Sequence, residues 1–178
     1  IKHKFICLLR AETVNETVAM ELAEAGCDHV QFGVESGNDY IRNEVMKRGS
    51  GMSEATLIRA FRSVQAYGIR TNSLNIIGVP GETEDMIWDT IRLNRKLKPT
   101  VMSCSIFYPY KGTPLGDECF EKDLVDEEMY ETFSFERRTS VLKYTEEHKR
   151  KLEYYRKNWY TLVYRYAIWL RFKRIMAN

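Results

Sequence analysis

The chain has 178 residues, and its 44% hydrophobic and 29% charged content is typical of a folded globular domain rather than a disordered segment. The formal net charge of +2 does not by itself support binding to nucleic acid. The cysteines are too scattered for a CxxC or CxxxCxxC ligand set and indicate reduced thiols in an intracellular protein, namely Cys7, Cys27, Cys104 and Cys119.

The first residues form no signal peptide, because the apolar run at Lys4–Leu9 is short and lacks a cleavage site. We therefore predict a cytoplasmic protein. The chain also starts without Met, and we expect it to be a piece of a longer one. Lys4–Leu9 instead predicts a buried strand. The following helix would be capped by Thr13 or Asn15 and end at Gly26, and a second strand covers residues 30–34.

Further strand and helix units follow in the same order. A short helix is predicted over residues 41–46, and a longer one is capped by Ser53 and ended by Gly68. The next strand is predicted over Asn72–Ile77, the next helix begins at Thr83, and the last strand covers Val101–Phe107. Helices that alternate with apolar strands predict a parallel α/β sheet, and four strands amount to the C-terminal half of a partial TIM-like barrel.

Beyond the last strand the pattern becomes helical, so we divide the chain into a barrel region, residues 1–116, and a helical region, residues 117–178. The stretch from Tyr144 to Met176 mixes aromatic with basic residues and contains no Gly or Pro. Packing of its aromatic side chains on the barrel is the favoured interpretation. An interfacial membrane helix and a nucleic-acid surface are the alternatives. Its apolar run is too short for a transmembrane segment.

Polar residues follow the strands where a barrel keeps its chemistry. Glu35, framed by Gly33 and Gly37, can accept two hydroxyl hydrogen bonds from a sugar, or it can cap the next helix. Arg48 can pair with a ligand carboxylate or lie in solvent.

The turn that begins at Gly78 can approach a planar ligand, whereas Glu82 is interpreted as a charge at a helix start. Asn75 can point into the barrel mouth or be solvated. Phe107 and Tyr108 can stack on a base or cover the core. The histidines and cysteines have no metal-ligand spacing, so no metal site is predicted.

Four motifs, taken in order, strongly resemble the later half of the radical S-adenosylmethionine barrel. The resemblance covers Phe5–Leu115 and is greatest to the cobalamin-binding branch, which includes the anaerobic magnesium-protoporphyrin IX monomethyl ester cyclases and many methyltransferases. The motifs are Gly33–Gly37, Met46–Gly49, Ile76–Thr83 and Phe107–Leu115.

The resemblance implies a partial (β/α)6 barrel with a [4Fe-4S] cluster that reductively cleaves S-adenosylmethionine to a 5′-deoxyadenosyl radical. It further implies a small-molecule substrate, a reducing partner such as flavodoxin or ferredoxin, and cobalamin in a separate domain. By the same resemblance Glu35 would meet the ribose hydroxyls and Arg48 the methionine carboxylate. The backbone around residues 76–79 would meet the adenine, and Phe107 and Tyr108 would line the adenine or substrate side. The expected cofactor-binding residues are Glu35, Ser36, Arg48, Asn75, Ile76, Gly78, Phe107 and Tyr108.

The chain departs from the family pattern because neither the CxxxCxxC cluster loop nor the amine-binding motif occurs in it, and Leu74 stands where related proteins often carry an acid. We therefore expect the chain to be inactive alone. A tRNA-modifying enzyme of the methylthiotransferase or Elongator-subunit type, with the basic C-terminal helix as an RNA surface, is one alternative. A non-catalytic scaffold is the other.

Overall fold

The computed structural model describes residues 3–49, 51–132 and 137–164. Within them, four parallel strands form one sheet in the order β1, β2, β3, β4. This confirms the predicted α/β class with helices after the sheet. The strands are β1 (Phe5–Leu9), β2 (Cys27–Glu35), β3 (Arg70–Ile77) and β4 (Val101–Ile106).

The helices begin close to the predicted caps. The Asn15, Ser53 and Thr83 side chains accept from backbone N–H groups in the first turns of α1, α2 and α3. The predicted short helix is a π-helix, Ile41–Val45. The α-helices are α1 (Glu16–Glu24), α2 (Glu54–Ala66), α3 (Glu84–Leu97), α4 (Pro114–Glu121), α5 (Glu127–Thr132) and α6 (Glu146–Lys157).

Among the described residues, helices cover one face of the sheet and not the other. Val30, Phe32 and Val34 of β2 are buried in a cluster with side chains of α2. Because side chains alternate along a strand, the intervening residues of β2 face the other side. On that open face Ile6 and Leu8 of β1 are 60% and 65% exposed. The sheet is therefore the wall of a half barrel whose inner face is uncovered.

The C-terminal helical region packs on the same sheet. Leu152 and Tyr155 of α6 share a buried cluster with Ile77 of β3 and Ile106 of β4. A second helical segment, residues 159–164, continues this contact, while residues 165–178 of the predicted helix lie outside the described residues. Packing on the barrel is thus confirmed for Tyr155, Trp159 and Tyr164, whereas Tyr154 and Tyr160 are exposed. The division predicted at residue 117 falls inside α4.

No helix within the described ranges is long and apolar enough to cross a membrane.

The turn after β3 is closed by Glu82. The residue directly precedes the Thr83 cap of α3, at the helix start that the sequence predicts, and it is only 7% exposed. Its Oε2 accepts a hydrogen bond of 2.5 Å from the Gly78 N–H, whereas its buried Oε1 has no partner among the described groups. Burial raises the pKa of this carboxyl from 4.5 to about 7, against the opposing effect of the hydrogen bonds from Gly78 and Val79.

Gly78 is also the point where α6 approaches the sheet. Its φ is +77°, and a Cβ placed there would lie 2.8 Å from Leu152 Cδ1. We expect Gly78→Ala to lower the free energy of unfolding by about 2–4 kcal/mol, because backbone strain and overpacking add. The matched control is Gly81→Ala, where φ is +80° but no atom lies within 4 Å. It should lose only about 1–2 kcal/mol for the strain. Equal losses in urea unfolding would contradict the packing contribution.

Glu82 makes the stability depend on pH. Because its pKa in the folded state lies above 4.5, the neutral carboxyl contributes stability below pH 4.5 that is lost as the pH rises through about 7. Glu82→Gln cannot ionise and keeps an oxygen for the Gly78 N–H. The difference in unfolding free energy between the variant and the wild type should therefore shift by up to about 3 kcal/mol in favour of the variant from about pH 5 to about pH 7.5. The unfolding free energies are measured by urea titration. The same difference between variant and wild type at both pH values would refute the prediction.

Candidate functional site

Glu35 ends β2 in an unusual backbone conformation. Its φ is +61°, and the pairing register of β2 with β3 shifts between Gly33 and Glu35. A Cβ on Gly33 would lie 2.5 Å from Glu35 Oε1 and 3.2 Å from Arg48 Nη2. The missing side chain of Gly33 therefore gives the carboxylate room to lie over the end of its own strand. Left-handed backbone at a glutamate is rare and concentrates at functional sites.

Arg48 faces this carboxylate. Its Nη2 lies 3.6 Å from Glu35 Oε1, with the two side chains 30% and 15% exposed. Burial raises the pKa of Glu35, and the positive charges of Arg48 and Arg137 oppose that shift. The buried Nε of Arg48 has no hydrogen-bond acceptor among the described residues. The pair therefore keeps both acceptor and donor capacity for a ligand.

Arg42 fixes the loop that carries Arg48 to the rim, and the sequence analysis missed it. Its guanidinium is fully buried and donates to the Ser36 carbonyl and the Met52 carbonyl, both at 2.6 Å, and to the Asp39 carboxylate. The Arg48 N–H donates in turn to the Arg42 carbonyl. The i, i+3 spacing of Asp39 and Arg42 on a helical turn was the available signal.

Ser36 and Asn75 point away from the mouth. The Ser36 Oγ lies 3.3 Å from the Thr90 hydroxyl of α3 and accepts from the Asn38 N–H. The Asn75 side chain is neither in the mouth nor solvated, because it lies on the helix-facing side of β3. Its amide donates to the Ser103 carbonyl, and its oxygen accepts from Asn94 of α3 at 2.7 Å. The alternation of side chains along β3, which the strand boundary alone leaves open, decides this orientation.

Ile76, next to Asn75, falls on the opposite side of β3 and lines a small cavity of about 110 Å³ beyond the strand ends. Phe107 and Tyr108 are buried in the wall of this cavity. The Tyr108 ring stacks on Tyr130 with centroids 5.0 Å apart, and burial raises the pKa of Tyr108 to about 12. Arg137, which the sequence analysis did not single out, also lines the cavity.

The rim thus combines two of the expected ligand groups, Glu35 and Arg48, with the cavity beside Ile76. Gly78 lies in the turn closed by Glu82 and does not line that cavity. In the described part of the chain, no three His, Cys, Asp or Glu side chains are grouped so that they could hold a metal ion. The residues present therefore fit a polar organic ligand and do not provide a set of ligands for an iron-sulfur cluster.

Comparison with known proteins identifies the family. The sequence profile described as the radical SAM superfamily matches residues 1–93. An uncharacterized methyltransferase of Pyrococcus horikoshii is 32% identical over 116 residues, which cover 65% of this chain and 25% of that protein. A tRNA-2-methylthio-N(6)-dimethylallyladenosine synthase of Vibrio vulnificus is 32% identical over 84 residues, which cover 47% of this chain and 18% of that protein.

A solved structure shows the same similarity. TsrM of Kitasatospora setae, a radical S-adenosylmethionine methyltransferase with cobalamin and a [4Fe-4S] cluster bound, superposes with a TM-score of 0.57 and 27% identity, over 67% of this chain and 23% of that chain. The chain spans about a quarter or less of the length of these relatives. The profile match, which covers more than half of the chain, confirms the family that the four motifs predicted: the chain belongs to the radical SAM superfamily.

Proposed function

We propose that this chain supplies the ribose and carboxylate contacts of the S-adenosylmethionine site in a radical SAM methyltransferase. The observation that carries the proposal is the Glu35–Arg48 pair over Gly33, at the carboxyl ends of parallel strands. A carboxylate accepts hydrogen bonds from both ribose hydroxyls, and a guanidinium can hold a carboxylate through two N–H groups. Family membership and the methyltransferases among the similar proteins support this assignment.

The geometry of the Glu35–Arg48 pair leaves hydrogen-bonding capacity for a ligand. At 3.6 Å, Glu35 and Arg48 are attracted as ions without forming a good hydrogen bond. Burial disfavours the ionised form of Glu35. Two hydroxyl donors from a ribose would stabilise that ionised form, so binding would satisfy a carboxylate that the folded chain leaves short of donors.

The adenine contact in this proposal is the side chain of Ile76. Peptide groups in the turn that follows are already engaged: the Ile77 carbonyl accepts from the Phe107 N–H, and the Gly78 N–H donates to Glu82. The Val79 carbonyl accepts from the Glu82 N–H. Ile76 therefore offers a planar base an apolar surface next to the small cavity that it also lines, rather than further backbone hydrogen bonds.

In such an enzyme a [4Fe-4S] cluster supplies the electron that cleaves S-adenosylmethionine to methionine and a 5′-deoxyadenosyl radical, and cobalamin, where present, carries the transferred methyl group. The part of this chain is to bind and orient S-adenosylmethionine. Glu35 would fix the ribose, and Arg48 would fix the methionine carboxylate at the other end of the same ligand. A small-molecule substrate and a reducing partner such as flavodoxin or ferredoxin complete the proposed system.

A tRNA-modifying methylthiotransferase is the second candidate. It is supported by the 32% identity to the tRNA-2-methylthio-N(6)-dimethylallyladenosine synthase of Vibrio vulnificus. The two candidates differ in what the reaction requires, because a tRNA enzyme turns over S-adenosylmethionine productively only when tRNA is present.

The reaction can be tested on the natural full-length protein, reconstituted anaerobically with iron and sulfide and reduced with dithionite. We expect S-adenosylmethionine to yield 5′-deoxyadenosine, which reports radical cleavage, and S-adenosylhomocysteine, which reports methyl transfer; both are measured by chromatography. Glu35→Gln should weaken S-adenosylmethionine binding by about tenfold, because it loses charge-assisted hydrogen bonds. Absence of both products, with and without added tRNA, would contradict radical SAM activity. Products that need tRNA would favour the second candidate.

Gly33 tests the site without removing a charged group. A Cβ at Gly33 would displace the Glu35 carboxylate, a flexible side-chain end, so we expect Gly33→Ala to weaken S-adenosylmethionine binding at least about tenfold while the unfolding free energy changes by less than about 1 kcal/mol. The control is Gly51→Ala, where the nearest atom to a new Cβ is 3.9 Å away. Equilibrium dialysis gives the two affinities. Equal affinities of the Gly33→Ala and Gly51→Ala variants for S-adenosylmethionine would show that Glu35 does not contact it.

A further inference from the structure

Arg137 brings a second guanidinium to the rim. It lies beyond α5 in sequence, yet its carbonyl accepts a hydrogen bond of 3.1 Å from the Ile106 N–H at the end of β4. Its φ is +49°, so Arg137 shares with Glu35 the left-handed backbone that is uncommon outside glycine. Its positive charge opposes the rise that burial causes in the pKa of the Glu35 carboxyl.

The Arg137 side chain is held in a defined position. The Tyr110 hydroxyl accepts hydrogen bonds from the Arg137 Nη2 and, at 2.9 Å, from its Nε. The guanidinium carbon also lies 5.2 Å from the centroid of the Tyr110 ring, in the range of a cation–π contact. An arginine anchored in this way loses little further side-chain freedom when it binds a ligand.

The anchored group still has donors to offer. A guanidinium carries five N–H groups, and Tyr110 takes one from Nε and one from Nη2. None of the ion pairs between described residues involves Arg137. The Tyr110 hydroxyl, which accepts two bonds from Arg137, keeps its own proton for donation.

Most of the remaining wall of the cavity is apolar or aromatic, and the hydroxyl residues Ser105 and Thr113 complete it. Ile76, Phe107 and Tyr108 line it together with Tyr110, and its volume is about 110 Å³. That is well below the roughly 300 Å³ of a site for a drug-sized molecule, so it admits about one ring. A flat apolar body with one negative end matches these walls and the edge of the guanidinium that no described residue occupies.

We propose that Arg137, anchored by Tyr110, binds the carboxylate of a planar aromatic or conjugated substrate in this cavity, beside the S-adenosylmethionine site. The inference rests on the proposed function, because it makes the cavity the place of the substrate. Glu35 and Arg48 hold S-adenosylmethionine, and Arg137 selects for an anion among substrates of similar shape. Arg137 is therefore a specificity-determining residue, and it takes no part in cleavage.

Two matched probes test this, benzoate and benzamide, which differ in charge but hardly in shape. Their affinities are measured by ligand-observed NMR on the natural full-length holoprotein saturated with S-adenosylmethionine. We expect benzoate to bind at least fivefold more tightly than benzamide. Arg137→Gln should abolish that preference. Tyr110→Phe should reduce it, because the guanidinium loses its hydrogen bonds to the Tyr110 hydroxyl. Circular dichroism checks that each variant is folded, and two variants keep the test decisive if one fails to fold.

Equal binding of the two probes by the wild type would overturn the proposal, as would a preference that both variants retain. Displacement of benzoate by S-adenosylmethionine would also overturn it, since the cavity would then belong to the nucleoside. S-adenosylmethionine binding and cleavage are measured on the same sample. Failure of these two measurements alone refutes the proposed function, whereas loss of the charge preference alone refutes the anion site.

Discussion

Parallel pairing of the four strands is the constraint on which the rest of the structure depends. The register aligns Glu35 of β2 with Asn75 of β3, and Asn75 with Cys104 of β4, so the carboxyl ends of these strands lie along one edge. Every connection must then cross back over one face of the sheet, and the helices on that face bury it. The residues that follow the strands are brought together at this edge, which forms the rim, so motifs that are widely separated in the sequence meet there.

Glycines mark the places where this rim is in close contact with its surroundings. Gly33 leaves space for the Glu35 carboxylate, and Gly78 leaves space for Leu152 of α6. Gly37 lies against the backbone of α3 around Asp89, so closely that a Cβ there would overlap it. Gly33 thus connects the rim to a side chain, Gly37 connects it to α3, and Gly78 connects it to α6. The shape of the mouth is therefore coupled to packing in the C-terminal region.

Charge placement explains how a mouth so rich in guanidinium groups remains stable. Arg42 is fully buried, and the cost of removing its charge from water is offset by hydrogen bonds to two carbonyls and to Asp39. Arg48 and Arg137 stay partly in contact with solvent and share the field of Glu35. One arginine therefore builds the loop, while two are left with hydrogen-bonding capacity at the surface of the site.

The sequence by itself determined the order of elements, the helix caps at Ser53 and Thr83 and the family motifs around Glu35, Arg48 and Gly78, because each is written in local spacing and residue type. It could not show that Glu82 turns inward to close the Gly78 turn, because its neighbours Thr83 and Glu84 give the same pattern as an ordinary helix start.

The tertiary structure alone decided which way side chains point and which distant residues reach the mouth. Asn75 turned out to face α3 rather than the mouth, since the phase of alternation along β3 is set by packing against Asn94. Arg137 reached the rim through a backbone hydrogen bond to Ile106, a contact between residues about thirty positions apart. Such contacts depend on the folded path of the chain. Local sequence patterns extend over only a few residues and carry no information about that path.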